Sequence, residues 1–268
     1  METDASHWQH TAERYEGGRY MDPALARHTR EVNLELIRRW APTLKHARVL
    51  KTDAFADATC PPRAFSWFID EARELVCFDI APGLTKQARD NARAVGRPDT
   101  AYVTADARVL PFMNDCFDLI VSDSTLDHFH TTEEIDVALA ELARVLKPGG
   151  VMIVALDNPH NITDPLFQLW QRRGRMPYYV GKTLTRQALI RSLERLDLKV
   201  TDTTAQLHYP RLVTKAALRW CRRIAPRRTD AMARWGLSAI NRLERCGTRY
   251  RTGLFVVARA EKPRTSGL

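Results

Sequence analysis

From about residue 45 the chain alternates short, unbroken apolar runs with longer stretches whose apolar residues recur every three or four positions. "ARVLK", "LVCFDI", "TAYVTADA", "FDLIVSD" and "VMIVALD" read as strands. Between them, "PPRAFSWFIDEA" reads as a helix opened by prolines, "LTKQARDNARAVG" as a helix ended by Gly96, and "TTEEIDVALAELARVL" as a helix with a Thr131/Glu134 capping box. Residues 22 to 41 form an earlier helix, closed by Pro42. A sixth strand is expected near "LDLKVTDTTAQLHY" and a last one in "GLFVVARAEK". The runs lack polar alternation, which is how strands covered on both faces of a parallel sheet appear. Strand and helix in repeated alternation predict a doubly wound α/β domain.

Ligands of such sheets bind beyond the carboxyl ends of the strands. Every predicted strand ends there in polar residues: Thr52 and Asp53, then Asp79, then Asp106, then Ser122, Asp123 and Ser124, then Asp157 and Asn158. Any one of them is better explained as a helix cap or turn former. Five strand ends in succession weaken that explanation and point to a shared rim.

The first strand end breaks the usual chemistry. Nucleotide-binding loops place glycine there, because positive φ and close backbone approach need a residue without Cβ. No glycine occurs between Gly18 and Gly83, and the loop reads "KTDAFAD".

Three of the segments, "ELVCFDIAPGLTKQAR", "VTADARVLPFMNDCFDLIVSDSTLDHF" and "ALAELARVLKPGGVMIVALDNP", resemble the class I S-adenosylmethionine-dependent methyltransferases, particularly the small-molecule type, over about residues 45 to 160. The resemblance implies a mainly parallel, seven-stranded, Rossmann-like methyltransferase fold with S-adenosylmethionine as cofactor. It places Asp79, with Ile80 after it, at the ribose hydroxyls, Asp106 at the adenine amino group, and the Ala107 N–H at the ring; Ser122 lies at the same rim. "KPGG" reads as a helix stop and turn. Against the family's first motif, Lys51 stands where an acid is usual, and Asp53, Phe55 and Asp57 stand at the glycine positions. Two readings follow. Either the loop takes another path and Asp53 accepts from the ammonium of the cofactor, or Phe55 fills the cofactor's space and the protein is a catalytically silent, methyltransferase-like binding module.

Methyl transfer from a sulfonium depends mainly on alignment and exclusion of water. Within "SDSTLDHF", which the resemblance sets beside the methyl group, Asp123 and His128 are the candidate catalytic residues. Histidine suits removal of an acceptor proton, although His128 also suits simple packing under a loop. Tyr15 and Tyr20 are candidates to close over the cofactor or to pack.

Composition narrows the class further. With 44% hydrophobic and 27% charged residues, the chain is globular rather than disordered. Five cysteines without paired spacing suggest neither disulfides nor a metal site, and predict a reducing, cytoplasmic setting. Neither a signal peptide nor a membrane span is expected from the pattern. The net charge of +9 is concentrated in one place: residues 211 to 251 hold twelve Lys or Arg against Asp230 and Glu244.

The expected organisation is an N-terminal helical cap over 1–44 and a methyltransferase-like domain over 45–268, with a basic helical hairpin inserted at about 211–248 and broken at Pro226. The hairpin's apolar stripes (Val213, Ala217, Trp220, Cys221 and Ile224, then Met232, Trp235, Ala239 and Leu243) are expected to pack onto the domain as a lid. Peripheral contact with an anionic membrane, to admit a lipophilic acceptor, is the next reading. Nucleic acid is the least favoured partner, since no recognised binding motif accompanies the arginines.

Overall fold

The computed structural model describes residues 4–13, 21–69, 72–163, 165, 168–169, 173 and 181–264. Tyr15 and Tyr20 lie outside the described residues. The strands are β1 (Arg48–Thr52), β2 (Glu74–Asp79), β3 (Ala101–Thr104), β4 (Phe117–Asp123), β5 (Leu146–Asp157), β6 (Lys199–Gln206) and β7 (Phe255–Glu261). They form one sheet in the order β3-β2-β1-β4-β5-β7-β6. The pairs from β3 through to β5 are parallel, and β7 runs antiparallel to both β5 and β6. The expected doubly wound, mainly parallel sheet is the observed one.

The helices are α1 (Asp4–Glu13), α2 (Pro23–Trp40), α3 (Phe55–Thr59), α4 (Pro82–Ala94), α5 (Thr132–Val145), α6 (Arg186–Glu194), α7 (Arg211–Ile224), α8 (Thr229–Asn241) and α9 (Arg249–Thr252). Strand residues alternate between two cores. Val49, Leu75, Cys77, Leu119, Val121 and Ile153 face α2 and α4 through Leu36, Ile37, Leu84 and Ala88. Leu50, Val76, Phe78, Ile120, Met152 and Val154 face α5 and α6 through Ile135, Leu139, Leu189 and Leu193. Burying both faces is what the unalternated apolar runs required.

Local signals act as read. The Thr131/Glu134 capping box opens α5, and Gly96 follows α4 at φ +78°. At "KPGG", α5 ends at Val145, and the register between β4 and β5 shifts so that Phe117 pairs Leu146 and Leu119 pairs Val151. Gly149 turns there at φ +81° and donates its N–H to the Lys262 carbonyl.

Two expectations are corrected. "PPRAFSWFIDEA" is not a helix; it forms short 3-10 turns at Pro61–Arg63 and Ser66–Phe68, with Ala64 extended between them. The helix falls earlier, as α3, because Asp53 accepts the Phe55 N–H at its start. Ser66 and Trp67 are drawn instead into side-chain bonds with Asp57 and Tyr102.

The hairpin of α7 and α8 forms with Pro226 between its helices, but its orientation is not the expected one. Leu218, Ala233 and Leu237 are its buried apolar contacts, in the core shared with α2. Of the expected stripe, Val213, Ala217, Trp220 and Ile224 face solvent, as do Met232 and Trp235, while Cys221, Ala239 and Leu243 are half-buried. Charge holds the opposite face inward: Arg222 pairs with Asp22 and Asp230, and Arg211 with Asp157.

Candidate active site

One cleft opens at the carboxyl end of the sheet. Asp53, Asp79, Ile80, Asp106, Ala107, Ser124, Thr125, His128 and Asp157 line it from the strand ends, with Trp8 from α1, Phe55 and Arg63 from the first loop, and Arg211 and Lys215 from α7. Acids therefore gather at the β1–β2–β3 side and cations at the α7 side.

The glycine-free loop is built around buried charge. Lys51 and Asp57 are 1% and 0% exposed, with Nζ 3.5 Å from Oδ2. Lys51 also donates to the Asp53 carbonyl and lies 5.3 Å from the Phe65 ring centre. Burial opposes its charge, but Asp57 and Asp53 outweigh burial and hold Lys51 firmly protonated. Asp57 also accepts from Ser66 Oγ at 2.8 Å and Tyr102 Oη at 3.3 Å, while Tyr102 accepts from Trp67 Nε1 at 2.9 Å. Asp53 keeps the left-handed backbone, at φ +69°, that a glycine would adopt in its place. Phe55 lines the cleft and meets the Trp8 ring edge-on at 5.9 Å.

Asp79 Oδ1 accepts from the Ala81 N–H at 2.9 Å and Oδ2 from the Ala54 N–H at 3.0 Å. Each oxygen keeps one acceptor position open towards the cleft. Burial, then the nearby Asp53 charge, push this carboxyl up. Asp106 differs: Arg108 Nε and Nη2 fork across both its oxygens at 2.7 to 3.1 Å, and the Arg108 N–H also donates to Oδ1. Arg108 extends the network to Glu134 and Asp4. An adenine amino group would have to share or displace that fork.

Ser122 and Asp123 are not among the cleft residues. Ser122 accepts from Thr52 Oγ1 at 3.2 Å, and Thr52 reaches Thr125, which does line the cleft. Asp123 accepts from Asn33 Nδ2 at 3.0 Å and lies 3.5 Å from Arg63 Nη2, so it ties α2 to an arginine of the cleft wall. His128 does face the cleft. Its ring meets Trp8 at 4.5 Å, and Nε2 is 3.9 Å from Asp127 Oδ1. Asp127 is fully buried, accepts the Asp157 N–H at 2.8 Å and the Ser124 hydroxyl, and is pushed up by burial against the opposing effect of His128.

Arg108, Trp8 and Lys215 were not identified from sequence as cleft residues. Arg108 stands two positions from Asp106, which makes the fork sterically accessible, but Trp8 carries no local signal at all.

A seven-stranded sheet of this order, with acids at the ends of β2 and β3 facing one cleft, defines the class I methyltransferase architecture. Residues 58–154 match the family model described as a methyltransferase domain. The chain is similar to the ubiquinone/menaquinone biosynthesis C-methyltransferase of Haemophilus ducreyi, 36% identical over 107 residues, which are 40% of this chain and 40% of that protein. It is also similar to the malonyl-[acyl-carrier protein] O-methyltransferase of Geobacter sulfurreducens, 41% identical over 83 residues, 31% of this chain and 29% of that one. The similarity thus spans less than half the length of these relatives. A solved S-adenosylmethionine-dependent methyltransferase from Mesorhizobium loti superposes with a TM-score of 0.56 at 16% identity, covering 85% of this chain and 97% of that one. Residues 58–154 thus carry a methyltransferase domain, in a sheet with the fold of a solved methyltransferase whose cofactor is S-adenosylmethionine.

The residues present fit that cofactor. Asp79 has acceptor positions open for a pair of ribose hydroxyls, and the Asp53 carboxylate lines the cleft where a cationic ammonium would be received. The Ala54 and Phe55 N–H groups are spent inside the protein, on Asp79 and Asp53. Side-chain charge would therefore have to take the place of a glycine-loop N–H cradle.

Proposed function

We propose that this protein transfers a methyl group from S-adenosylmethionine to a small or lipophilic acceptor. The observation that carries the reading is Asp79, a carboxylate at the end of β2 with acceptor capacity left on both oxygens and facing the cleft. The bound cofactor would supply an electrophilic methyl on sulfur. The chain's own part is to hold and exclude. Asp79 holds the ribose and Asp53 the ammonium; Trp8, Phe55 and Phe129 keep water from the reacting end. His128 lies beside Asp127 and against the Trp8 ring, and in this reading it takes a proton from an acceptor hydroxyl or acidic carbon. Asp123 acts at one remove, by fixing Arg63.

One relative is named as a carbon methyltransferase and the other as an oxygen methyltransferase. The apolar and aromatic cleft wall, with Leu25, Leu207, Tyr209 and Phe255, favours an acceptor with a substantial hydrophobic part. Titration calorimetry with S-adenosylmethionine and S-adenosylhomocysteine tests the reading. Saturable binding of both, weakened at least tenfold in Asp79→Ala, is expected; folded protein that binds neither would overturn it.

A further inference from the structure

We propose that the α7–α8 hairpin is a docking surface for an anionic lipid bilayer. An amphipathic helix on a globular domain normally turns its apolar stripe inward. α7 does the reverse. Val213, Ala217, Trp220 and Ile224 recur at intervals of four, three and four residues, which places them in one row along the helix. That row faces solvent, with Val213, Trp220 and Ile224 exposed by 66%, 62% and 58%. The following helix adds Met232 and Trp235 at 50% and 78%. Apolar side chains concentrated on one surface element of a soluble domain mark a contact site.

The inversion has a visible cause. Arg211 and Arg222, on the other side of α7, are held by Asp157 and Asp22, and Lys215 lines the cleft. Turning the apolar row inward would break both ion pairs. The row is thus fixed outward by the fold.

Charge selects the occupant. Asp230 and Glu244, the two acids of residues 211 to 251, are already paired with Arg27, Arg39 and Arg222. Arg219, Arg223, Arg227, Arg228, Arg234 and Arg242 are exposed on the same hairpin, Arg219 and Arg223 on the flank of the α7 row. An apolar row flanked by arginines, with tryptophans among the outward residues, matches the interface of a bilayer whose headgroups are anionic. A nucleic acid would instead set its phosphates against Val213, Trp220 and Ile224. The inner side of the same helix contributes Arg211 and Lys215 to the cleft, so docking would bring the cleft's wall to the lipid surface. The docking does not depend on the methyltransferase reading.

The test is co-sedimentation with phosphatidylcholine vesicles with and without phosphatidylglycerol, at low and high salt. Pelleting that requires phosphatidylglycerol and is reversed by salt is expected. Trp220→Ser with Trp235→Ser should lower partitioning about tenfold, and Arg223→Ser or Arg227→Ser about fivefold each. Circular dichroism identifies folded variants; should the double variant misfold, Trp235→Ser alone, the most exposed position, takes its place. S-adenosylhomocysteine titration of the same samples reports on the cofactor site separately, so loss of one result leaves the other standing. Three outcomes overturn the proposal: no pelleting with phosphatidylglycerol vesicles at low salt, pelleting unchanged by the tryptophan substitutions in folded protein, or retention of random-sequence duplex DNA in preference to the vesicles.

Discussion

Lys51 and Asp57 form an ion pair, 3.5 Å from Nζ to Oδ2, with both side chains closed off from solvent. Lys51 stands at the end of β1 and Asp57 in α3, so the pair spans the loop where related proteins use an acid and glycines. Charge in the side chains replaces freedom in the backbone as the means of fixing this turn. The pair is one part of a network that includes Ser66, Tyr102 and Trp67.

Removing one partner leaves the other buried and uncompensated. Asp57→Asn should therefore destabilise the fold by about 3 kcal/mol or more. Lys51→Met combined with Asp57→Asn should be less destabilising than the sum of the single changes, because no charge is stranded. Urea denaturation of the four proteins in the cycle gives the coupling; additive single effects would show that the pair contributes nothing specific.

Cofactor affinity should depend on pH through Asp79. Burial, then the Asp53 charge, push its carboxyl up to about 7. A raised carboxyl is neutral below that value and ionised above it, and only the ionised form offers acceptors on both oxygens to ribose hydroxyls. S-adenosylhomocysteine should bind more tightly as pH rises through about 7, by up to about tenfold per unit. Calorimetry across that range, repeated on Asp79→Asn, should show the dependence flattened in the variant.

Trp8 covers the cleft from α1, touching Phe55 and His128 at 5.9 and 4.5 Å between ring centres. Trp8→Ala opens the cleft to water and removes both aromatic contacts, each worth about 1 kcal/mol. The expected result is S-adenosylhomocysteine binding weakened about tenfold, mainly through faster release in stopped-flow experiments. Unchanged affinity would mean that α1 packs on the domain without closing the site.

Stability should fall on mild acidification through His28. This residue of α2 is buried beside Tyr209, and burial lowers its pKa from 6.5 to about 4. Below about 6.5 the unfolded chain takes up a proton that the folded chain refuses. The contribution is therefore complete above 6.5 and lost as pH falls towards 4, with a ceiling of about 3 kcal/mol. His28→Gln should shrink the difference between urea midpoints measured at about pH 7.5 and about pH 5; an identical difference in both proteins would exclude His28 as its source.

Features that depend on near neighbours were legible in the chain itself. Apolar runs placed the strands, Gly96 ended α4, Thr131 with Glu134 opened α5, and the order of elements implied a sheet whose polar ends share one rim. Tertiary structure decided the rest, because it rests on residues far apart in the chain. The Asp57 network needs Tyr102 from β3, the Arg108 fork needs Glu134 and Asp4 to complete it, and Asp123 is drawn from the cleft to Asn33 of α2. The hairpin shows the difference most plainly. Its helices follow from periodicity, but which face turns inward was settled by Asp22 and Asp157, 200 and 54 residues from the arginines they hold. An amphipathic pattern specifies that two faces differ; only the partners available in the fold decide which of them is buried.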